Sequence, residues 1–152
     1  MLSVQLLEAG AKAPVCSRPG QDLGYDVFAL EDTMVYVGEV VKVRTGVAVE
    51  VNLGNEVVGD IPGGLIVKDR SSMAAKGVLT HGGVIDAGYR GEVGILMSFL
   101  GDRSGEEMSY LIREGDKIAQ LVPVLPLTRE TVIVNELTPA SRGEKGFGSS
   151  GR

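Results

Sequence analysis

A chain of 152 residues with 43% hydrophobic content is long enough for one domain with a real core and too short for several. Aromatics are only 5%, Trp is absent and Gly occurs 22 times, so Val, Leu and Ile must build the core and the chain must turn often. A net charge of −5 excludes broad, sequence-independent nucleic-acid binding, which needs a basic field, but leaves room for a small anionic ligand held by a few local cations. The single cysteine, Cys16, excludes an internal disulfide and a Cys-based zinc site, and reads as a reduced cytosolic thiol.

Residues 2–7 read as a first strand. No basic n-region or long apolar run precedes them, so neither a signal peptide nor a membrane span is expected, and the expected location is cytoplasmic. Residues 9–22, with Pro14, Pro19 and Gly20, read as irregular, and 25–30 as a second strand. Segments 34–37 and 40–44 flank Gly38-Glu39 as a hairpin would. Val41, Val43, Thr45, Val47, Val49 and Val51 alternate, which puts them on one face of a single extended segment, with Lys42, Arg44 and Glu50 towards water. Residues 52–64, with four glycines and Pro62, read as a loop, and 65–68 as strand.

The one convincing helical turn is 71–76: Ser71 or Ser72 caps it, Met73, Ala74 and Ala75 favour it, and Gly77 ends it. Strands follow at 92–100, 108–112, 118–125 and 131–137, with turns at 101–105 and at Gly115-Asp116. About ten short strands, one helical turn and no repeat or linker favour an all-β sandwich or jelly roll over an open sheet.

The last eleven residues, 142–152, combine an arginine, one aromatic ring, hydroxyls and glycine-flanked amides. Their composition reads as flexible on its own, yet supplies a cation for phosphate, a ring for a base and N–H groups for oxyanions. Gly146 to Gly151 fits G-x-G-x-x-G, but a dinucleotide fold needs a strand before it and a long helix after it, and one residue follows.

Four further segments are more polar or glycine-rich than a plain sandwich needs: 22–27, 69–77, 83–91 and 114–121. Arg70-Ser71-Ser72 opens the helical turn, and amides, hydroxyls and a guanidinium together suit an anion. Asp86 follows the apolar Val84-Ile85, and a fixed carboxylate there can orient and deprotonate a water. Gln120 lies in an apolar strand and needs a hydrogen-bond partner, and Asp26 at a strand start reads as a salt-bridge or turn residue. Lys117 reads as solvated, and His81, the only histidine, as a loop residue with no proton-transfer duty.

With the tail, these segments closely resemble the five ordered motifs of the homotrimeric dUTPase family, from about Pro19 to Gly151. The resemblance implies a distorted jelly roll, or β-clip barrel, over residues 1–141, with 142–152 as a lid arm. It implies hydrolysis of dUTP to dUMP and pyrophosphate, which limits uracil in DNA and supplies dUMP for dTMP synthesis. Asp86 would activate the water. Arg70, Ser71, Ser72 and Gln120 would hold phosphates, and the region of Gly83, Val84 and Ile85 would read uracil and exclude a 5-methyl. Tyr89 would pack on the deoxyribose and exclude a 2′-hydroxyl. Phe147 would cover the base, while Arg142, Gly148 and Ser149 would meet the γ-phosphate. Mg²⁺ is the implied cofactor, with Asp26 holding one of its waters, and a homotrimer with shared sites is the implied assembly.

One position departs from the family pattern: many members carry Asn six residues before the catalytic aspartate, where this chain has Thr80. A nucleotide-binding regulator, a dCTP deaminase or bifunctional deaminase on the same fold, and a ligand-free structural trimer are the rival readings. The presence of Asp86 favours the enzyme over the regulator, and the run Asp86-Ala87-Gly88-Tyr89-Arg90-Gly91 favours the dUTPase form over a deaminase.

Overall fold

In the computed structural model, which describes residues 1–102 and 104–140, β-branched and glycine-punctuated sequence condenses into short strands around a Val-rich core. In chain order these are β1 (Leu2–Leu6), β2 (Tyr25–Phe28), β3 (Thr33–Tyr36), β4 (Val40–Val43), β5 (Val47–Asn52), β6 (Pro62–Asp69), α1 (Ser71–Ala74), β7 (Val78–His81), β8 (Val84–Ile85), β9 (Ile95–Phe99), β10 (Ser109–Ile112) and β11 (Lys117–Val124). Six strands form one sheet in the order β1-β5-β6-β11-β2, with β8 added to β6. A three-stranded sheet, β4-β9-β7, and the pair β10-β3 complete an all-β, distorted jelly roll. Val27, Val35, Val43, Val47, Ile118 and Ala119 have no exposed surface, so the core is branched aliphatic as the composition requires. Among the described residues, aromatic packing is limited to one tilted pair, Phe99 and Tyr110, 5.8 Å apart.

The alternating run is buried from Val43 to Val51, with Val41 half-buried, but it is not one strand. The chain breaks at Gly46, whose φ of +67° suits glycine, and β4 and β5 enter different sheets. The Gly38-Glu39 turn forms, with Glu39 N–H donating to the Tyr36 carbonyl, but it makes no hairpin: β3 pairs with β10 and β4 with β9. Pro62 opens β6 rather than closing a loop, because the first residue of a strand tolerates a missing N–H. Residues 78–81, read as part of no strand, form β7 beside β9. The strand expected at 131–137 is absent: residues 125–140 are exposed, in no strand, and make no backbone hydrogen bond to the rest of the described chain. No described helix is long and apolar enough to cross a membrane.

Candidate active site

The first group of site residues gathers at one end of the six-stranded sheet, and strand register puts it there. β11 lies between β2 and β6, and Gln120 faces Asp26 on one side and Lys68 on the other. Gly24 lets β2 come this close, since a Cβ there would meet the Leu121 carbonyl at 3.1 Å and the Gln120 Cβ at 3.4 Å. The β2–β11 ladder slips between Lys117 and Ala119, and a bulge of this kind re-aims a side chain. Lys117 Nζ thereby reaches Asp26 Oδ2 at 2.8 Å, and Gln120 Nε2 donates to Oδ1 at 3.3 Å. Arg70 Nε donates to the same Oδ1 at 3.1 Å and its Nη1 to the Lys117 carbonyl at 3.1 Å. Asp26 is thus a buried ionic hub rather than a turn residue. Burial pushes its carboxyl up, but bonds from Lys117 and Gln120 and the charges of Arg70 and Lys117 outweigh this and hold it below its ordinary value.

The helical turn is not capped by a serine. Arg70 occupies the N-cap with extended backbone and no side-chain cap bond, and its Nη1 lies 3.5 Å from Ser72 Oγ. Ser71 and Ser72 are exposed beside it, so the guanidinium and both hydroxyls share one accessible corner. Gly77, at φ +80°, does end the turn. The aspartate just before Arg70 is also fixed: Asp69 Oδ1 accepts the N–H of Thr80 at 2.6 Å and its hydroxyl at 2.7 Å. Burial raises the Asp69 carboxyl, and the two Thr80 bonds, with Lys68 and His81 nearby, bring it below its ordinary value. Thr80, the departure from the family pattern, therefore ties β7 to the end of β6. His81 lies on β7 rather than in a loop, and its Nε2 is 2.7 Å from Ser98 Oγ on β9.

The second group surrounds a cleft of about 260 Å³ lined by Lys42, Val84, Ile85, Asp86, Tyr89 and Glu92 with their neighbours. Gly82 and Gly83, at φ +66° and +95°, turn the chain out of β7 into β8. Gly83 also packs on β6, where its carbonyl accepts the Val67 N–H at 2.7 Å. β8 then lies against Leu65 and Ile66, which delivers Asp86, exposed, to the cleft. Tyr89 N–H donates to the Asp86 carbonyl at 3.0 Å and closes the turn that carries both side chains. Arg90 braces that turn, donating to the carbonyls of Ala87 and Tyr89 at 2.8 and 2.9 Å.

The fold keeps the two groups apart. Asp86 sits beside Gly64 near the start of β6, and Arg70 follows its end, so six residues of strand, about 20 Å, separate them. Among the described residues no cluster of three or more His, Cys, Asp or Glu could hold a metal ion. Arg142, Phe147, Gly148 and Ser149 lie outside the described residues.

Three participants escaped sequence reading. Lys117 is paired with Asp26 rather than solvated, Lys42 borders the cleft, and Glu92 anchors its rim. A lysine directly after the Gly115-Asp116 turn carries no signal for its role, because the bulge that re-aims it is a property of the ladder.

A family model described as dUTPase matches residues 11–151. The chain is 33% identical over 156 residues to the deoxyuridine 5′-triphosphate nucleotidohydrolase of Clostridium tetani (strain Massachusetts / E88), covering 99% of this chain and 97% of the relative. It is 36% identical over 161 residues to that of Anaplasma marginale (strain St. Maries), with 99% of each covered. Among solved structures, the Staphylococcus bacteriophage 80alpha dUTPase with dUpNHpp superposes at a TM-score of 0.83 and 31% identity, covering 100% of this chain and 99% of that one. A mutant dUTPase from phage phi11 of S. aureus, described as coordinating a structural Mg(II) ion, superposes at 0.74 and 30% identity over 90% and 97%. The geometry, the family match and these relatives lead to one conclusion: the chain belongs to the dUTPase family and is a hydrolase of the dUTP diphosphatase type.

Proposed function

We propose that the chain converts dUTP to dUMP and pyrophosphate with Asp86 as the general base, in a site completed by other copies of the same chain. The observation that carries this reading is the exposed Asp86 carboxylate at the mouth of a cleft walled by Val84, Ile85 and Tyr89. Asp86 accepts a proton from a water aligned on the α-phosphorus, and the oxygen of that water forms the new P–O bond. The bond from the α-phosphorus to the bridging oxygen breaks, and that oxygen leaves with pyrophosphate. Gly83, Val84 and Ile85 present main-chain groups to the uracil edge, and the Tyr89 ring fills the space a 2′-hydroxyl needs.

Arg70, Ser71, Ser72 and Gln120 bind the phosphates at the other end of β6. A separation of about 20 Å between Asp86 and Arg70 exceeds the length of a triphosphate, so one chain's pair cannot serve one substrate. This supports a homotrimer in which neighbours supply the two halves. The exposed segment 125–140, with Leu127 70%, Ile133 96% and Leu137 82% exposed, supports the same assembly, since a neighbour would cover it. Residues 142–152 act as the lid arm: Phe147 lies over the base, and Arg142, Gly148 and Ser149 meet the γ-phosphate. The domain is then 1–141 with this arm appended.

Asp26 fits an indirect role towards Mg²⁺. Three donors engage its oxygens, and a carboxylate has about four acceptor positions, so one remains for a metal-bound water. When bound, Mg²⁺ neutralises triphosphate charge. The product, dUMP, suits a cytoplasmic role in limiting uracil in DNA and feeding dTMP synthesis.

The test is a hydrolysis panel of dUTP, dTTP, dCTP and UTP with Mg²⁺, run on wild type and Asp86→Asn. Turnover of dUTP alone is expected, with a loss of about 10²–10⁴-fold in the variant. Equal turnover of dUTP and dCTP would overturn the specificity, and full activity of Asp86→Asn the mechanism. A second reading, nucleotide-responsive regulation, is favoured by phage relatives on this fold described as controlling transfer of virulence genes. A regulator that also hydrolyses would keep Asp86, as this chain does.

A further inference from the structure

Tyr89 is 47% exposed, so packing alone does not fix its ring. A hydrogen bond does: its hydroxyl donates to the main-chain carbonyl of Glu92 at 3.0 Å. The ring reaches that carbonyl by folding back over Gly91, where any Cβ would collide with the tyrosine hydroxyl. The wall of the cleft is therefore only as steady as the peptide of Glu92.

That peptide is held from two sides: the N–H of Val93, in the same planar unit, donates to the Val47 carbonyl at 2.8 Å, and residue 92 on its other side is held by its own side chain. Glu92 Oε1 accepts the N–H of Gly46 at 2.9 Å and of Thr45 at 3.2 Å, and Oε2 accepts Arg44 Nε at 3.3 Å and Nη2 at 3.4 Å. Arg44 is paired on its far side with Glu8. The Glu92 side chain is only 16% exposed, so these bonds are shielded from water. Gly46 is the residue that can present its N–H there, because its φ is +67° and a Cβ would meet that of Ala11 at 2.9 Å. The corner between β4 and β5 thus sets where residue 92 lies, and residue 92 sets where the ring of Tyr89 stands.

We propose that Glu92 is a positioning residue for Tyr89 and thereby determines how strictly the cleft excludes a 2′-hydroxyl, an inference that rests on the deoxyribose reading of that cleft. Glu92 touches no reacting atom. Its removal leaves the neighbouring strand contacts in place: Thr45 Oγ1 still donates to the Val93 carbonyl at 2.6 Å, and Val93 N–H to that of Val47 at 2.8 Å. The core and the Val93 side of the peptide survive, while residue 92 loses its tie to the β4–β5 corner and the tyrosine tether loses one of its two anchors. A packed wall rejects an added hydroxyl by about 10²-fold, and a loosened one by less.

The test compares kcat/KM for dUTP and UTP in wild type, Glu92→Ala, Glu92→Gln and Tyr89→Phe, with oligomeric state checked by size exclusion. In Glu92→Ala the UTP-to-dUTP ratio is expected to rise about tenfold, mainly through a lower KM for UTP. Glu92→Gln should restore most of the discrimination, because its amide oxygen still accepts from Thr45 and Gly46. Tyr89→Phe, which keeps the ring and loses the tether, should move the ratio as Glu92→Ala does. If Glu92→Ala does not fold, Glu92→Asp, one methylene short of the donors, takes its place. An unchanged ratio in folded Glu92→Ala (or Glu92→Asp in its place) or in Tyr89→Phe overturns the inference and leaves the deoxyribose reading standing. A wild type that does not prefer dUTP over UTP overturns both.

Discussion

At the residue scale, three carboxylates are held in charged form by neighbours distant in sequence. Asp26 is held by Lys117, Gln120 and Arg70, and Asp69 by Thr80. Burial raises the Glu92 carboxyl, but the Gly46 N–H and Arg44 outweigh it, so Glu92 too lies below its ordinary value. The direction fixes the sign of a pH effect. A carboxyl depressed in the folded state contributes stability that is complete above its unfolded value and is lost as pH falls through the folded one. Melting temperature at fixed protein concentration should therefore be flat from about pH 7 to 5 and fall progressively below about pH 4. Glu92→Gln should remove part of that acid dependence. A stability that rises on acidification would contradict these assignments. The sequence singled out Asp26, Arg70 and Gln120 as candidates but not that one carboxylate joins them, since the pairs are 44 and 94 residues apart.

At the element scale, the turn from β7 into β8 and the turn after β8 carry the segment proposed to read the base, and their glycines are of different kinds. Gly88 has open space around it, whereas Gly83 has φ +95° and a Cβ there would press on Val67 at 3.0 Å. Gly83→Ala should cost about 1–3 kcal/mol through backbone strain and crowding on β6. The loss is measurable as a lower denaturant midpoint, together with a raised KM for dUTP. Gly88→Ala should leave stability within about 1 kcal/mol, as expected for a site with room for a methyl. An equal effect at both positions would show that crowding against Val67 is not the constraint. Local sequence located these turns well. It failed where strand partners decide: 34–44 looks like a hairpin because apolar runs flank a Gly-Glu turn, yet its two arms pair in separate sheets. Residues 131–137 have strand composition, but composition provides no partner, and the described chain offers none.

At the scale of the whole molecule, the two groups of candidate site residues lie at opposite ends of β6, and the exposed 125–140 segment forms no strand and no backbone hydrogen bond with the rest of the described chain, which is what the proposed trimer would supply. In solution the protein is expected to run as three copies of 16.0 kDa. Deleting residues 142–152 should leave that trimer and its melting transition intact and, if they act as the proposed lid, lower kcat/KM for dUTP by at least about 10²-fold. Deleting 125–152 should dissociate it, as sedimentation would show. If the shorter truncation also unfolds the protein, the arm is structural and not a lid.

Composition and local pattern by themselves determined the all-β class, the aliphatic core and the helical turn, because these depend on residue type and near neighbours. Only the tertiary structure decided what holds each motif in place. It broke the valine run at Gly46, turned Lys117 onto Asp26 through a bulge, tied Thr80 to Asp69, and buttressed Tyr89 through Glu92. Each of these is a contact between strands, and register between strands is fixed by packing across the sheet rather than by sequence along one of them.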